Sequence, residues 1–376
     1  MTSEPLWLCL DAKAPLKTAH SKTLARQSKR LPNQPGFHFL SSVEISRFPA
    51  GKAFNTSVAV MNKYTVNPTT TMNNLLSLIR RLTFLLLLVP LATEAAPGQS
   101  KIKVMLLTGQ CSRYHNWALS SVILKRMLEE PGRFTVETVT TPPTGADMSG
   151  FRPNFKSCDV VVMDYEGDEW PEATKRAFAE FISGGGGLVT FHDTDNTFPK
   201  WSEWNEMIGV GGWGGRDETW GPKVRWRDGK MVLDNSPGKA SHPPKHDFLI
   251  EVRTPDHPVM QGLPAKWMHA NDELYSQLRG PARNLTVLAT AYADKARYAN
   301  ASGEHEPMLM AIAYGKGRIF HTTLGHVGPK DTEPVQSVNC VGFITTLLRG
   351  TEWAASGKVT LPVPADFPTA DKTSVR

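Results

Sequence analysis

The chain has 376 residues, 40% of them hydrophobic and 21% charged, with 30 Gly, 28 Pro and 10 Trp; this is enough apolar material for a globular core and excludes collagen-like or wholly disordered architectures. Its formal charge of +6 is unevenly shared: residues 1–96 carry 11 basic and 4 acidic side chains, residues 97–376 carry 31 and 32. The larger part is near neutral and has no electrostatic footprint for a phosphate backbone, so no nucleic-acid partner is expected.

Residues 1–71 lack helical or strand periodicity and read as an extension outside the fold, with Met72 as the expected true start. From Met72 the order is a basic region ending in Arg80-Arg81, an apolar run from Leu82 to Ala92, and small residues at Thr93 and Ala95, which is the order of a secretory signal peptide over 72–96. The apolar run is shorter than the ~20 residues of a bilayer span, so membrane contact is expected only through this segment. Cleavage near Ala95 would deliver a periplasmic or extracellular protein. Beyond it, Cys111, Cys158 and Cys340 form no disulfide framework and no zinc cage, and at most one bridge.

A single domain is expected over 97–355, followed by a C-terminal tail over 356–376. Strands are predicted at Lys101–Leu107, Phe134–Thr140, Asp159–Met163 and Leu188–Phe191. Leu119, Val122, Ile123 and Met127 recur at helical spacing between the first two, and a helix opened by Pro171 precedes the fourth. This alternation implies a flavodoxin-like three-layer α/β sandwich with a mostly parallel sheet. A Trp- and Gly-rich insertion over 201–247 holds a short helix at Trp201–Met207 and a strand at Lys223–Trp226. Strands resume at Phe248–Val252, Leu285–Ala289, Met308–Tyr314 and Arg318–Thr323, and Val335–Leu348 closes the domain as a helix.

Ligands of open α/β sheets bind beyond the carboxyl ends of the strands, which selects His115, Glu166, His192, Asp193, Asp195 and His326. His192-Asp193 follows a glycine run and a strand, as a nucleophile elbow does, whereas His115 also stands where a helix cap would. His321 is expected to be packed or at the surface, and His242 and His246 solvated in a proline-rich loop. Three histidines with a carboxylate suit a divalent metal, zinc first, so His115, His192 and His326 are candidate ligands; no Gly-rich loop has the spacing for a nucleotide cofactor. Trp201 and Trp213 are candidate platforms for a sugar ring, with His115, Asp193 and Asp195 as further substrate contacts.

Gly185-Gly-Gly-Leu-Val-Thr-Phe-His192, Asp256-His-Pro-Val-Met-Gln-Gly-Leu-Pro264, Asn271-Asp-Glu-Leu-Tyr275 and Tyr314-Gly-Lys-Gly-Arg-Ile-Phe-His-Thr-Thr-Leu-Gly-His326 resemble the trehalose-utilisation (ThuA-like) family over about residues 101–350. The resemblance implies a class I glutamine amidotransferase-like fold. It also implies a role in sugar catabolism, including routes through 3-keto-glycosides, with His192, Glu273 and His326 as catalytic residues and Asp272 and Tyr275 as substrate contacts. True amidotransferases carry a catalytic Cys where this chain has His192, so ammonia transfer through a thioester is not expected. The resulting expectation is acid–base chemistry, metal-assisted or not, on a sugar or 3-keto-glycoside; the alternative is a non-catalytic carbohydrate-binding or interaction domain.

Overall fold

The computed structural model describes residues 100–376; the expected extension over 1–71 and the signal peptide over 72–96 lie outside the described residues. Strand β1 (Ile102–Thr108) sets the plan, because successive side chains of a strand face opposite ways. Val104 and Leu106 join one buried cluster with Ile123, Leu124 and Met127 of helix α1 (Trp117–Glu129) and Phe343 and Leu347 of a C-terminal helix. Met105 and Leu107 join the other, with Phe178 and Ile182 of α2 (Glu172–Ser183) and Trp204, Met207 and Ile208 of α3 (Ser202–Ile208). Val122, placed by spacing on the apolar face of α1, is instead 58% exposed.

Nine strands of the described residues form the main sheet. The sequence-predicted sandwich forms its parallel half: β2 (Phe134–Thr140), β1, β3 (Val160–Met163), β4 (Gly187–Phe191) and β11 (Gly317–Thr322) run side by side in parallel. The sheet then continues antiparallel through β10 (His305–Tyr314), β9 (Leu285–Tyr292), β7 (His246–Val252) and β8 (Lys266–Asp272). Strand β8 has no counterpart in the sequence reading, because Trp-Met-His-Ala-Asn-Asp interleaves polar residues without a clean alternation. Its outer edge is met by the C-terminal segment, where Met268 N donates to Thr369 O at 2.8 Å and Trp267 packs on Phe367.

The insertion is more ordered than its glycines suggest. β5 (Lys223–Arg227) and β6 (Lys230–Asp234) form a hairpin across Asp228-Gly229, both in the left-handed region that a tight two-residue turn requires. The closing helix expected as one piece over Val335–Leu348 is two, α4 (Gln336–Asn339) and α5 (Val341–Ser356), separated by Cys340 in an extended conformation that bridges to Val375. Cys111, Cys158 and Cys340 are free thiols. Among the described residues no helix is long and apolar enough to cross a membrane.

The Asp256–Pro264 motif has a structural explanation. Arg349 of α5 is buried, and its guanidinium donates to the carbonyls of Pro258, Val259 and Gln261 in that turn and of Leu361 in the tail. Arg349→Ala leaves four carbonyls without their donor, and is expected to lower the unfolding free energy by about 2–4 kcal/mol in denaturant titration. A loss below about 0.5 kcal/mol, the scale of an ordinary surface substitution, would refute this role.

Candidate functional site

Phe191 of β4 lies opposite Thr322 of β11 in the parallel ladder, so the residues leaving both strands reach the same rim. His192 turns off β4 with φ 36°, a left-handed conformation that costs a non-glycine residue on the order of 1–2 kcal/mol, and begins a 3-10 turn through Asn196. Its Nδ1 lies 3.0 Å from the Thr323 carbonyl, which can only accept; Nδ1 therefore carries the proton and Nε2 keeps a free lone pair. His326 Nδ1 and the Tyr275 hydroxyl each lie 2.9 Å from that nitrogen. His115 enters from the loop after β1, with Nδ1 3.0 Å from Glu166 Oε2, which leaves Nε2 as its free donor atom. Asn116, not His115, caps α1 by accepting from Leu119 N. One nitrogen from each of His115, His192 and His326 fits within 4.8 Å of the other two.

Glu273 completes the group, its Oε2 lying 3.2 Å from His326 Nδ1 and 3.7 Å from both His192 Nε2 and His242 Nε2. Burial drives the electrostatics. It holds His192 well below the usual imidazole range, helped by the neighbouring His326 and His115, and it does the same to His326, helped by Lys245 and His115. Burial and the Asp272 charge push Glu273 up to about 7. The site therefore offers neutral imidazoles, the protonation state a metal needs, beside a carboxylate that exchanges protons near neutrality.

A cavity of about 600 Å³ opens on this group. Trp213, Tyr275 and His242 form one wall, with Trp213 and Tyr275 ring centroids 4.6 Å apart; Ser112, Glu166 and Asn196 contribute polar atoms, and Tyr114 stands at the margin, 58% exposed. His242 was expected to be solvated; it lines the cavity instead, its Nδ1 turned to the Pro243 carbonyl at 3.0 Å.

Several sequence-selected residues take other places. Trp201 is no sugar platform: it is buried among Phe178, Phe198, Trp170 and Trp204. Asp195 is fully buried and bonded to His321, whose Nδ1 faces the Ile208 carbonyl, so this pair braces the interior rather than touching substrate. Asp193 is also buried, its carboxyl pushed well up by desolvation and by Asp164 and Glu166, and one of its oxygens has no hydrogen-bond partner. Asp272 is fully buried as well and bonds backbone amides instead of facing the cavity. The Cys111 thiol is pushed up to about 11, chiefly by burial, so it is not a thiolate at neutral pH.

The parallel strands, the turn after β4 and the histidine at that turn define a flavodoxin-like α/β protein of the glutamine amidotransferase-like class with an imidazole rather than a thiol at this position. The chain belongs to the family described as trehalose utilisation (ThuA), which matches residues 103–354. A solved ThuA-like protein from Parabacteroides merdae is 50% identical, with a TM-score of 0.71 over 74% of this chain and 98% of its own. Another, from Bacteroides uniformis, is 17% identical, with a TM-score of 0.47 over 71% of this chain and 96% of its own. No curated protein matches the chain significantly.

His269 lies behind the site against Asp272, and its pKa is pushed up to about 10: burial opposes its charge but is outweighed by Cys340 and Asp272. Because the folded value exceeds the ordinary imidazole value, this contribution to stability is complete below about pH 6.5 and is lost as pH rises through about 10. Denaturant titration is expected to show stability falling between pH 7 and 10, with a shallower fall in His269→Gln. Identical slopes in the two proteins would contradict a charged His269.

Proposed function

We propose that this chain acts on a sugar or 3-keto-glycoside by acid–base chemistry assisted by a divalent metal, zinc first, held by His115, His192 and His326. Its membership of a family described by trehalose utilisation supports a carbohydrate-related role. The observation that carries the finer reading is the convergence of imidazole nitrogens: one nitrogen from each of His115, His192 and His326 lies within 4.8 Å of the other two, close enough to turn onto one ion. The donors fit a metal in chemistry too: His115 and His192 have their other nitrogen tied to Glu166 and the Thr323 carbonyl, the outer contacts that fix ligand histidines.

A bound divalent ion would polarise a substrate carbonyl. The Trp213–Tyr275 wall orients the ring by stacking. Glu273 accepts the proton from the carbon beside the keto group at Oε2, the electron pair of that C–H bond delocalising toward the carbonyl oxygen, and later returns a proton. Glutamine chemistry through a thioester is not expected, since the elbow residue is His192 and the Cys111 thiol is held protonated. Export after cleavage near Ala95 belongs to the same proposal and rests on the sequence from Met72 onward.

The test takes the full chain purified without added metal, measures divalent metal by elemental analysis, and follows deuterium entry into a 3-keto-glucoside. About one ion per chain is expected, lost in His192→Ala; Glu273→Gln should keep the metal yet exchange on the order of 100-fold more slowly. If no variant changes the exchange while sugar binding persists, the aromatic wall serves a non-catalytic carbohydrate-binding protein instead.

A further inference from the structure

We infer that Asp272 is the positioning residue of this site: its buried carboxylate sets the backbone from which both His326 and Glu273 project, and it never meets the ligand. The inference rests on the metal-assisted reading above and deepens it. Asp272 has no exposed surface, and its hydrogen bonds go to buried protein donors. Oδ2 accepts from Gly325 N at 2.7 Å and His269 Nε2 at 2.8 Å; Oδ1 accepts from Glu273 N at 2.8 Å and His326 N at 3.1 Å.

Four chain segments supply the reacting atoms, and this carboxylate ties two of them. It holds the amides of Glu273 and His326 directly. His192 is fixed by the Thr323 carbonyl two residues before Gly325, in the same loop, and His115 by Glu166. That loop has little room to find another path. Gly325 has φ 107°, and a Cβ there would come within 2.7 Å of the Phe343 ring. A hydrogen-bonded anion is required rather than a generic polar group, because both oxygens must accept. An amide in its place would turn an NH2 toward two N–H donors, and the separation of His326 Nδ1 from Glu273 Oε2 would no longer be enforced.

The experiment compares the full chain with Asp272→Asn by zinc titration against a competing chelator and by amide hydrogen exchange. In the variant, zinc affinity is expected to fall roughly 10–100-fold, and the amides of Glu273, Gly325 and His326 to exchange at least about 10-fold faster, while those of β1 keep their wild-type rates. A purely structural Asp272 would lower the unfolding midpoint but leave the zinc affinity of the folded protein unchanged, and that result overturns the inference. Should the wild-type chain take up no zinc, the metal reading fails, and amide exchange alone decides: unchanged rates at the three amides overturn the positioning role. If Asp272→Asn does not fold, His269→Gln replaces it, since it loosens the carboxylate without removing it; a loss of about 3–10-fold in zinc affinity is expected, and wild-type affinity overturns the inference.

Discussion

The parallel pairing of β4 with β11 governs the site, because it delivers His192 and the Thr323–His326 loop to the same rim from positions far apart in the chain. Once Phe191 and Thr322 are level, the His192 ring lies within reach of the Thr323 carbonyl, and the choice of which imidazole nitrogen stays free follows from that one contact. His115 arrives from the neighbouring β1 by the same rule of strand ends. Glu273 and Tyr275 follow β8, whose last residue, Asp272, bonds the Gly325 and His326 amides and so brings them to the same rim from the far end of the sheet order.

The rim was legible in the sequence to the extent that it depends on strand ends. His115, His192 and His326 each follow a β-branched or aliphatic run, and the topology rule brings them together without any local signature. Asp272 and Asp195 were legible as polar residues of interest but not as buried ones: hydrophobic patterning says where apolar side chains go and nothing about which carboxylates find enough N–H donors to go with them. Trp201 and Trp213 illustrate the same limit. They are twelve residues apart in one Trp-rich insertion, yet one joins an aromatic core beneath the sheet and the other lines the cavity. Strand β8 was not legible because its polar residues break the alternation, and it is held in part by the C-terminal segment, a partner about a hundred residues away.

Charge in this part of the molecule is arranged in depth. Nearest the cavity are imidazoles held neutral by burial and a carboxylate near its balance point; behind them, Asp272 is kept ionised by His269 and backbone amides although burial opposes it. Beside His115, Asp164 and Asp193 are pushed up by burial, so these carboxyls do not add full negative charge to the rim. Such layering places the groups able to trade protons where a ligand can reach them and the fixed charge where water cannot.

Backbone conformation around the cavity carries a record of use. His192, Trp213 and Asn271 are all non-glycine residues in the left-handed region, with φ of 36°, 44° and 34°, and each is in the site or adjoins a residue that shapes it. A glycine at His192 or Trp213 would relieve the strain but give up what the ring does there: His192 is buried and bonded to the Thr323 carbonyl, and Trp213 packs against the buried cluster while lining the cavity. Among relatives, a chain that no longer used these rings would therefore be expected to change first at these bends while the Arg349 clamp and the β4–β11 ladder stay intact. The same substitutions would mark, from sequence alone, which relatives keep the geometry of the cavity and which keep only the fold.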